Sequence, residues 1–144
     1  MRLTLRDAGL PALMEAYCPC GRASKDGRAL TLAQCCGRYL QDFAGTPAPD
    51  AESLMRSRYT AFVLGDEDYL LASWHASTRP SQAQGDAAAR WLGLEVRGAT
   101  QSDAGHATVE FVARYRHQGR GVRLHERSRF VRDGVRWFYV DGQG

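Results

Sequence analysis

All four cysteines of this 144-residue chain lie between positions 18 and 36, and this cluster restricts what the N-terminal part can fold into. Cys18 and Cys20 stand in the motif CPCG, whereas Cys35 and Cys36 stand in QCCG. A segment this short cannot bury enough apolar surface to order itself. We therefore expect the cysteines to supply the missing stabilisation.

Two close pairs of thiols form the donor set of a structural zinc site. In a reducing cytosol, clustered cysteines are more often metal ligands or redox groups than disulfides. Four thiolates complete a closed tetrahedral shell around zinc, at Zn–S distances of about 2.3 Å. The sequence thus predicts a structural Zn2+ bound by Cys18, Cys20, Cys35 and Cys36.

Three other roles for the cysteines stay open. A redox pair would favour a C-x-x-C motif beside a βαβ unit, and the chain shows neither pattern. Cysteines that act as small apolar side chains would not all gather in one polar segment. An iron–sulfur cluster takes the same ligands as zinc.

Gly21 and Gly37 each follow a pair, where we expect positive φ angles that turn amides toward sulfur.

The composition is that of one ordinary globular domain, or of a domain with a small appendage. Hydrophobic residues make up 44% and charged residues 24% of the chain. No run approaches the roughly 18 apolar residues of a spanning helix, so we expect no membrane contact and a cytoplasmic location. The formal net charge is +3 and the arginines are scattered, so nucleic acid is not indicated as a partner.

A linker rich in proline and small residues, AGTPAPD at 44–50, follows the cysteines. We place a domain boundary there, with a metal-binding segment at 1–45 and an α+β domain at 46–144. Residues 32–43 are predicted to be a short helix or irregular.

Helix signals follow the linker. Asp50 or Ser53 can cap a helix over 51–64, which Gly65 ends. Asp66 can cap a second helix over 67–74, whose acidic first turn suits the helix dipole. After these helices, we expect a turn at 81–85 and a helical turn at 86–90.

From Trp91 onward the apolar residues alternate with a period of two, which predicts strands. Four strands are expected, at 92–96, 109–115, 122–130 and 135–139. Asp133 and Gly134 give a strong hairpin signal before the last strand. Helices followed by an antiparallel meander predict an α+β fold in which the helices cover one face of the sheet.

Strand parity predicts a polar group inside this fold. On the third strand, Glu126 and Ser128 share a face with apolar neighbours, so we expect a partly buried carboxyl there. The fourth strand places Trp137, Tyr139 and Asp141 on one face. Seven residues are candidates for a pocket: His75, Arg79, Glu126, Ser128, Trp137, Tyr139 and Asp141.

Two interpretations of Glu126 compete. Paired with His75 or His125 it could transfer protons. An ion pair of Arg79 with Glu126 or Asp141, which merely fixes a helix to the sheet, is the more ordinary arrangement. Outward-facing arginines form either a basic sheet face or a solvated surface: Arg114, Arg116, Arg123, Arg127, Arg129 and Arg136.

Several blocks together resemble a known family. CPCG and QCCG are followed by LMRSRYTAF at 54–62 and by WHASTRP at 74–80, in the order found in the bacterial YchJ-like (UPF) family. The resemblance covers about 17–142. It implies an N-terminal SEC-C metal-binding motif and a nuclear-transport-factor-2-like domain, a cystatin-like cone of helices on a curved antiparallel sheet. The segment 22–32 is longer than in the family, with 25–28 as the expected loop tip.

The leading functional hypothesis is a non-catalytic zinc-binding protein that acts as a binding or adaptor module. The SEC-C motif resembles the zinc tail of the bacterial preprotein translocase ATPase, which implies a protein partner or ribosome contacts. The alternative is an enzyme or small-molecule binder that uses the pocket of the α+β domain. The sequence indicates neither a substrate nor an oligomeric state.

Overall fold

A computed structural model describes residues 10–83 and 88–144. Helix α1 spans Leu10–Glu15, α2 Gly37–Gln41, α3 Ala51–Leu64 and α4 Glu67–Ala72. Strand β1 spans Ala89–Asp103, β2 His106–His117, β3 Arg120–Asp133 and β4 Arg136–Gln143. The predicted turn at 81–85 and helical turn at 86–90 fall partly outside the described residues. The end of the latter, Ala89 and Arg90, belongs to a strand instead.

The cysteine segment folds around a small hairpin. Isolated bridges pair Tyr17 with Thr31 and Ala23 with Ala29. Gly27, at a φ of 83°, lies in the turn, inside the loop tip that the sequence predicted. The long connection between the two cysteine pairs therefore brings its ends together.

Helix α3 begins and ends where its sequence signals stand. The Asp50 carboxylate accepts a hydrogen bond from the Ser53 amide at 2.7 Å, and Gly65 ends the helix at a φ of 73°. Asp66 caps α4 through the Tyr69 amide at 3.1 Å. Helix α4 ends at Ala72, two residues earlier than predicted.

The four strands form one antiparallel sheet in the order β1-β2-β3-β4, as expected for a meander. Register shifts interrupt β1 at three places, and bulges of this kind bend and twist a sheet. Leu92 lies at the first shift and is 54% exposed. Trp91 takes the inward place and pairs with Tyr115.

Helix α3 packs on one face of this sheet and is buried on both of its own faces. It contacts β1, β2 and β4, and α2 lies against it as well. At 100° per residue, Arg56 and Thr60 point to one side, whereas Met55, Arg58 and Phe62 point to the other. The helix thus separates the cysteine segment from the space over the sheet.

A bulge in β4 changes the parity of its last residues. Arg129 pairs with Asp141 and Phe130 pairs with Tyr139, so Val140 is left without a partner across the sheet. Tyr139 therefore faces α3, whereas Asp141 faces outward and forms an ion pair with Arg129. The prediction that Tyr139 and Asp141 share a face is wrong for this reason.

The outer face of the sheet carries charges of both signs. Glu110 lies 2.6 Å from His125 and 3.7 Å from Arg127, and Glu95 lies 3.7 Å from Arg114. Carboxylates thus neutralise part of the charge of these arginines, as on an ordinary solvated surface. In the described ranges, no helix has the length and apolar character needed to cross a membrane.

Candidate metal centre and cavity

The two cysteine pairs meet in one buried cluster. All four Sγ atoms lie within 4.8 Å of one another. Cys20 Sγ is 3.6 Å from the Sγ atoms of both Cys18 and Cys35, and Cys35 Sγ is 4.0 Å from that of Cys36. Zinc–sulfur bonds of about 2.3 Å in a tetrahedron place sulfurs about 3.8 Å apart. The spacing therefore fits one tetrahedral thiolate-bound metal, and all four cysteines are free of disulfides.

The acidity of the thiols also fits a bound cation. Hydrogen bonding with Cys20 lowers the pKa of Cys18, whereas hydrogen bonding with Cys18 raises the pKa of Cys35 and of Cys36. Sulfurs this close cannot all be ionised unless a cation lies among them. A soft divalent ion such as zinc would supply that charge, and its binding would be coupled to loss of the thiol protons.

Arginines from two helices bind the backbone of the centre. Arg56 Nη1 donates to the Cys20 carbonyl at 3.0 Å, and Arg38 Nε donates to the Cys35 carbonyl at 2.8 Å. The Thr60 hydroxyl lies 3.7 Å from Cys18 Sγ. Four thiolates and one Zn2+ carry a net charge of about −2, which these cations would offset.

The two glycines beside the cysteine pairs have different roles. Gly21 has the expected positive φ, 74°. Gly37 does not, and it instead permits a close approach. A Cβ at Gly37 would stand 2.6 Å from the Leu32 carbonyl oxygen and 2.7 Å from Met14 Cε. The expectation for Gly37 was wrong because packing, rather than a turn, requires glycine there.

A cavity of about 370 Å³ lies between α3 and the sheet. Its walls are mainly aromatic: Tyr59, Phe62, Trp74, Trp91, Phe111, Tyr115, Phe130 and Tyr139. Leu124 also lines the cavity and is 38% exposed, so the cavity reaches the surface there.

Arg58 projects from α3 into one side of the cavity. Its Nη1 donates to the Leu70 carbonyl at 2.8 Å and to Ser73 Oγ at 2.6 Å. The guanidinium stands over the rings of Tyr139 and Trp74, at 4.3 and 5.0 Å from their centres. Burial lowers the pKa of Arg58 to about 10, so the residue stays charged at neutral pH.

Glu126 lies across the cavity wall on β3. Burial raises the pKa of its carboxyl, and the charge of Arg58 acts in the opposite direction. A Cβ at Gly142 would overlap this carboxyl, so the glycine leaves the space that Glu126 occupies. Over residues 10–83 and 88–144, the Glu126 carboxyl has no hydrogen-bond or ion-pair partner.

Two hydroxyls share this property. Ser128 is 3% exposed and Tyr139 is half-buried, and both line the cavity. Neither hydroxyl has a hydrogen-bond partner in the described part of the chain. Burial, and then the charge of Glu126, raise the pKa of Tyr139. These groups face the cavity and can bond to a molecule that enters it.

The structure brings together three of the seven predicted pocket residues, Glu126, Ser128 and Tyr139. The other four do not line the cavity. Trp137 belongs to the core at 4% exposure, and Asp141 binds Arg129 on the outer face.

His75 and Arg79 lie in the turn region that follows α4. His75 Nδ1 is 2.7 Å from Ser77 Oγ, and Arg79 donates twice to the Trp74 carbonyl. The proposed pairs of Glu126 with His75, His125 or Arg79 are therefore not formed. His75 and Arg79 were misplaced because the chain after Ala72 turns to run beside β4, where the Tyr139 amide donates to the Ser73 carbonyl at 2.9 Å.

Sequence reasoning missed Arg58, the cation of the cavity. The signal was present, since Arg58 lies three residues after Met55 and four before Phe62, on the apolar stripe of α3. A charged residue inside such a stripe indicates a buried group that needs partners.

Comparison with known proteins places both parts of the chain. Residues 50–142 match the model described as the YchJ middle NTF2-like domain. A UPF0225 protein of Polaromonas sp. is 66% identical over 88% of this chain and 92% of its own, and one of Bordetella parapertussis is 53% identical over 92% and 96%.

Two solved structures are similar as well. A SEC-C motif containing protein from Rhodopseudomonas palustris is 32% identical, with a TM-score of 0.74 over 89% of this chain and 98% of its own. A second, from Psychrobacter arcticus, is 27% identical, with a TM-score of 0.75 over 90% and 83%. The predicted resemblance, the NTF2-like α+β fold and the SEC-C cysteine cluster are confirmed, and this chain belongs to the UPF0225 family.

Proposed function

We propose that this protein binds a small molecule in the cavity between α3 and the sheet, and that a structural zinc ion fixes the cysteine segment behind α3. The observation that carries the binding function is the set of cavity-facing polar groups without protein partners, Glu126 foremost. Ligand sites are typically concave and apolar, with a few convergent polar groups, and about 300 Å³ or more in volume. The cavity has each of these properties.

The zinc ion is proposed as a structural element because its ligand shell would be closed. Four protein thiolates leave no coordination position for a substrate. The sulfurs are buried, with Cys20 at 0% and Cys18 at 6% exposure, which also separates them from solvent. The metal content of purified protein tests this assignment, and one zinc per chain is expected.

Binding in the cavity is tested with an uncharged two-ring probe, quinoline, in an NMR titration of the 15N-labelled protein. We expect the indole signals of Trp74 and Trp91 to shift, because both rings line the cavity. Ala113→Phe fills the cavity from β2 and should abolish the shifts, since Ala113 is buried in its wall. Arg114→Phe adds the same ring on the exposed opposite face and should leave them unchanged. Equal shifts in Ala113→Phe would contradict the proposal.

A protein or ribosome contact through the zinc segment is a second candidate function. Tyr17 favours it, because this large ring precedes Cys18 and is 76% exposed. Cosedimentation of the purified protein with ribosomes tests this idea. Binding that is lost in Tyr17→Ala and kept in Ala113→Phe would support it.

A further inference from the structure

The charges on the cavity wall limit the ligands it can take. Among the described residues that line the cavity, Arg58 carries the only positive charge and Glu126 the only negative one. The charge of Arg58 lowers the pKa of the Glu126 carboxyl. These two charges cancel when both groups are ionised. A charged ligand would bring an uncompensated charge into an apolar space, which is costly.

The two charged groups also have complementary hydrogen-bonding needs. Glu126 offers carboxylate acceptors that no described residue uses. Arg58 spends Nη1 on Leu70 and Ser73, and its Nε and Nη2 donors have no acceptor within the described ranges. A ligand that satisfies both must present an acceptor toward α3 and a donor toward β3. Its acceptor would meet Arg58 and its donor would meet Glu126.

The remaining walls favour flat rings. The centre of the Trp91 ring lies 4.9 Å from that of Tyr115, at a tilt of 46°, and 5.5 Å from that of Tyr59. These three rings form an aromatic wall on one side of the cavity. Such rings gain dispersion and quadrupole interactions from an aromatic ligand. A volume of 370 Å³ holds a molecule of two or three fused rings.

We propose that the cavity binds uncharged fused-ring compounds that carry a lactam edge, an N–H beside a C=O, with the N–H on Glu126 and the C=O on Arg58. This inference rests on the proposed ligand-binding function and specifies the ligand class. Ser128 and Tyr139 supply hydroxyls that can either donate or accept, so they tolerate variation elsewhere on the ring.

Three two-ring probes of similar size separate the alternatives. Quinolin-2-one carries the lactam edge, N-methylquinolin-2-one lacks the donor, and 2-naphthoate is an anion. Dissociation constants are measured by NMR titration of the intact zinc-loaded protein. Quinolin-2-one should bind about tenfold or more tightly than either of the others, because each loses one charge-assisted hydrogen bond or adds a charge.

Glu126→Gln keeps the shape of the side chain and removes its charge, so the cavity becomes positive. Binding of quinolin-2-one should weaken by about tenfold and that of 2-naphthoate should strengthen by a similar factor. Glu110→Gln is the matched control, because Glu110 lies on the outer face beside His125. This variant should leave all three constants unchanged.

The outcomes distinguish the two levels of the proposal. If the methylated lactam binds wild type as tightly as quinolin-2-one, or 2-naphthoate binds more tightly, the ligand class is wrong and cavity binding stands. If no probe binds up to its solubility limit, the binding function fails too. The dispersion of the amide spectrum shows whether Glu126→Gln is folded. If this dispersion is lost, the comparison of the three probes on wild type still tests the ligand class.

Discussion

Helix α3 has the cysteine centre on one side and the cavity on the other, and the two regions differ in how their polar atoms are satisfied. In the centre, each cysteine sulfur lies within 4.8 Å of the others, and arginines bind the carbonyls of Cys20 and Cys35. In the cavity, Glu126 has no protein partner in the described ranges, and Arg58 uses part of its donors.

This difference supports a different role for each region. A site whose protein ligands are complete holds structure together, since nothing further can bind without displacing one of them. A site with unused donors and acceptors in an apolar enclosure is adapted to receive a molecule. On this basis we propose that the metal centre is the structural part and the cavity the ligand-binding part.

The largest effect is expected from removing the metal of the cysteine centre. Cys35→Ser with Cys36→Ser, or a zinc chelator, should remove the metal and disorder the cysteine segment, while β2 and β3 stay folded. The physical reason is that a structural zinc contributes about 10 kcal/mol or more to the order of its segment. Hydrogen exchange by NMR would show fast amides at 16–41 and protected amides in the sheet.

Ala33→Ser is the matched control, because it adds a serine at an exposed position between the pairs and keeps all four thiols. It should retain zinc and protection. Equal metal content in the double variant and in wild type would refute the zinc assignment.

The next effect concerns the cation of the cavity. Arg58→Leu should lower the free energy of unfolding by roughly 3 kcal/mol, because it leaves the Leu70 carbonyl and the Ser73 hydroxyl without their buried donor. Arg127→Leu, on the exposed outer face, should change the same quantity by about 0.5 kcal/mol or less. Urea unfolding measures both, and similar losses would show that Arg58 is not a buried structural cation.

A smaller effect tests the packing of the cysteine segment. Gly37→Ala should destabilise the segment by about 1–3 kcal/mol, since its Cβ would stand 2.6 Å from the Leu32 carbonyl oxygen. Gly93→Ala has nothing within 4 Å of the added atom and serves as the control. A reduced zinc affinity in Gly37→Ala alone is the expected readout, and equal affinities would contradict the close packing.

The smallest effect is the pH dependence of Glu126. Burial raises the pKa of this carboxyl above its ordinary 4.5, so the folded state holds the proton more tightly than the unfolded state. The stability that the protonated Glu126 carboxyl contributes is present at low pH and is lost as the pH rises through the folded-state pKa. Glu126→Gln should therefore gain free energy of unfolding over wild type as the pH rises from 4.5 toward neutrality. A gain on lowering the pH instead would contradict the burial of the carboxyl.

The sequence predicted the parts of the fold that depend on local signals. Asp50 and Gly65 predicted the two ends of α3 because both signals act locally. Asp50 accepts a hydrogen bond from an amide three residues later, and Gly65 takes a positive φ directly after the helix. Glu126 and Ser128 were placed in the cavity because β3 keeps its alternation over that stretch. The clustering of the four cysteines was predicted because their number and pairing are visible in the sequence.

The errors came from features that depend on neighbouring strands and helices. The bulge at Val140 turns Asp141 to the outer face of the sheet. This bulge depends on how β4 pairs with β3, and no residue of β4 signals it in the sequence. Arg58 was missed because its role depends on Leu70 and Ser73, which approach it through the fold. The boundary at 45 and 46 stays a prediction, although Arg136 on β4 donates to the carbonyls of Phe43 and Ala44.

The most direct test of the central claim is a crystal structure of the zinc-loaded protein with quinolin-2-one, recorded at the zinc absorption edge. The claim predicts one anomalous peak bound by Cys18, Cys20, Cys35 and Cys36 at about 2.3 Å, with no water ligand. It also predicts the ring between Arg58 and Glu126, on the other side of α3. A metal with an open coordination position, or a ring bound at the metal, would contradict it.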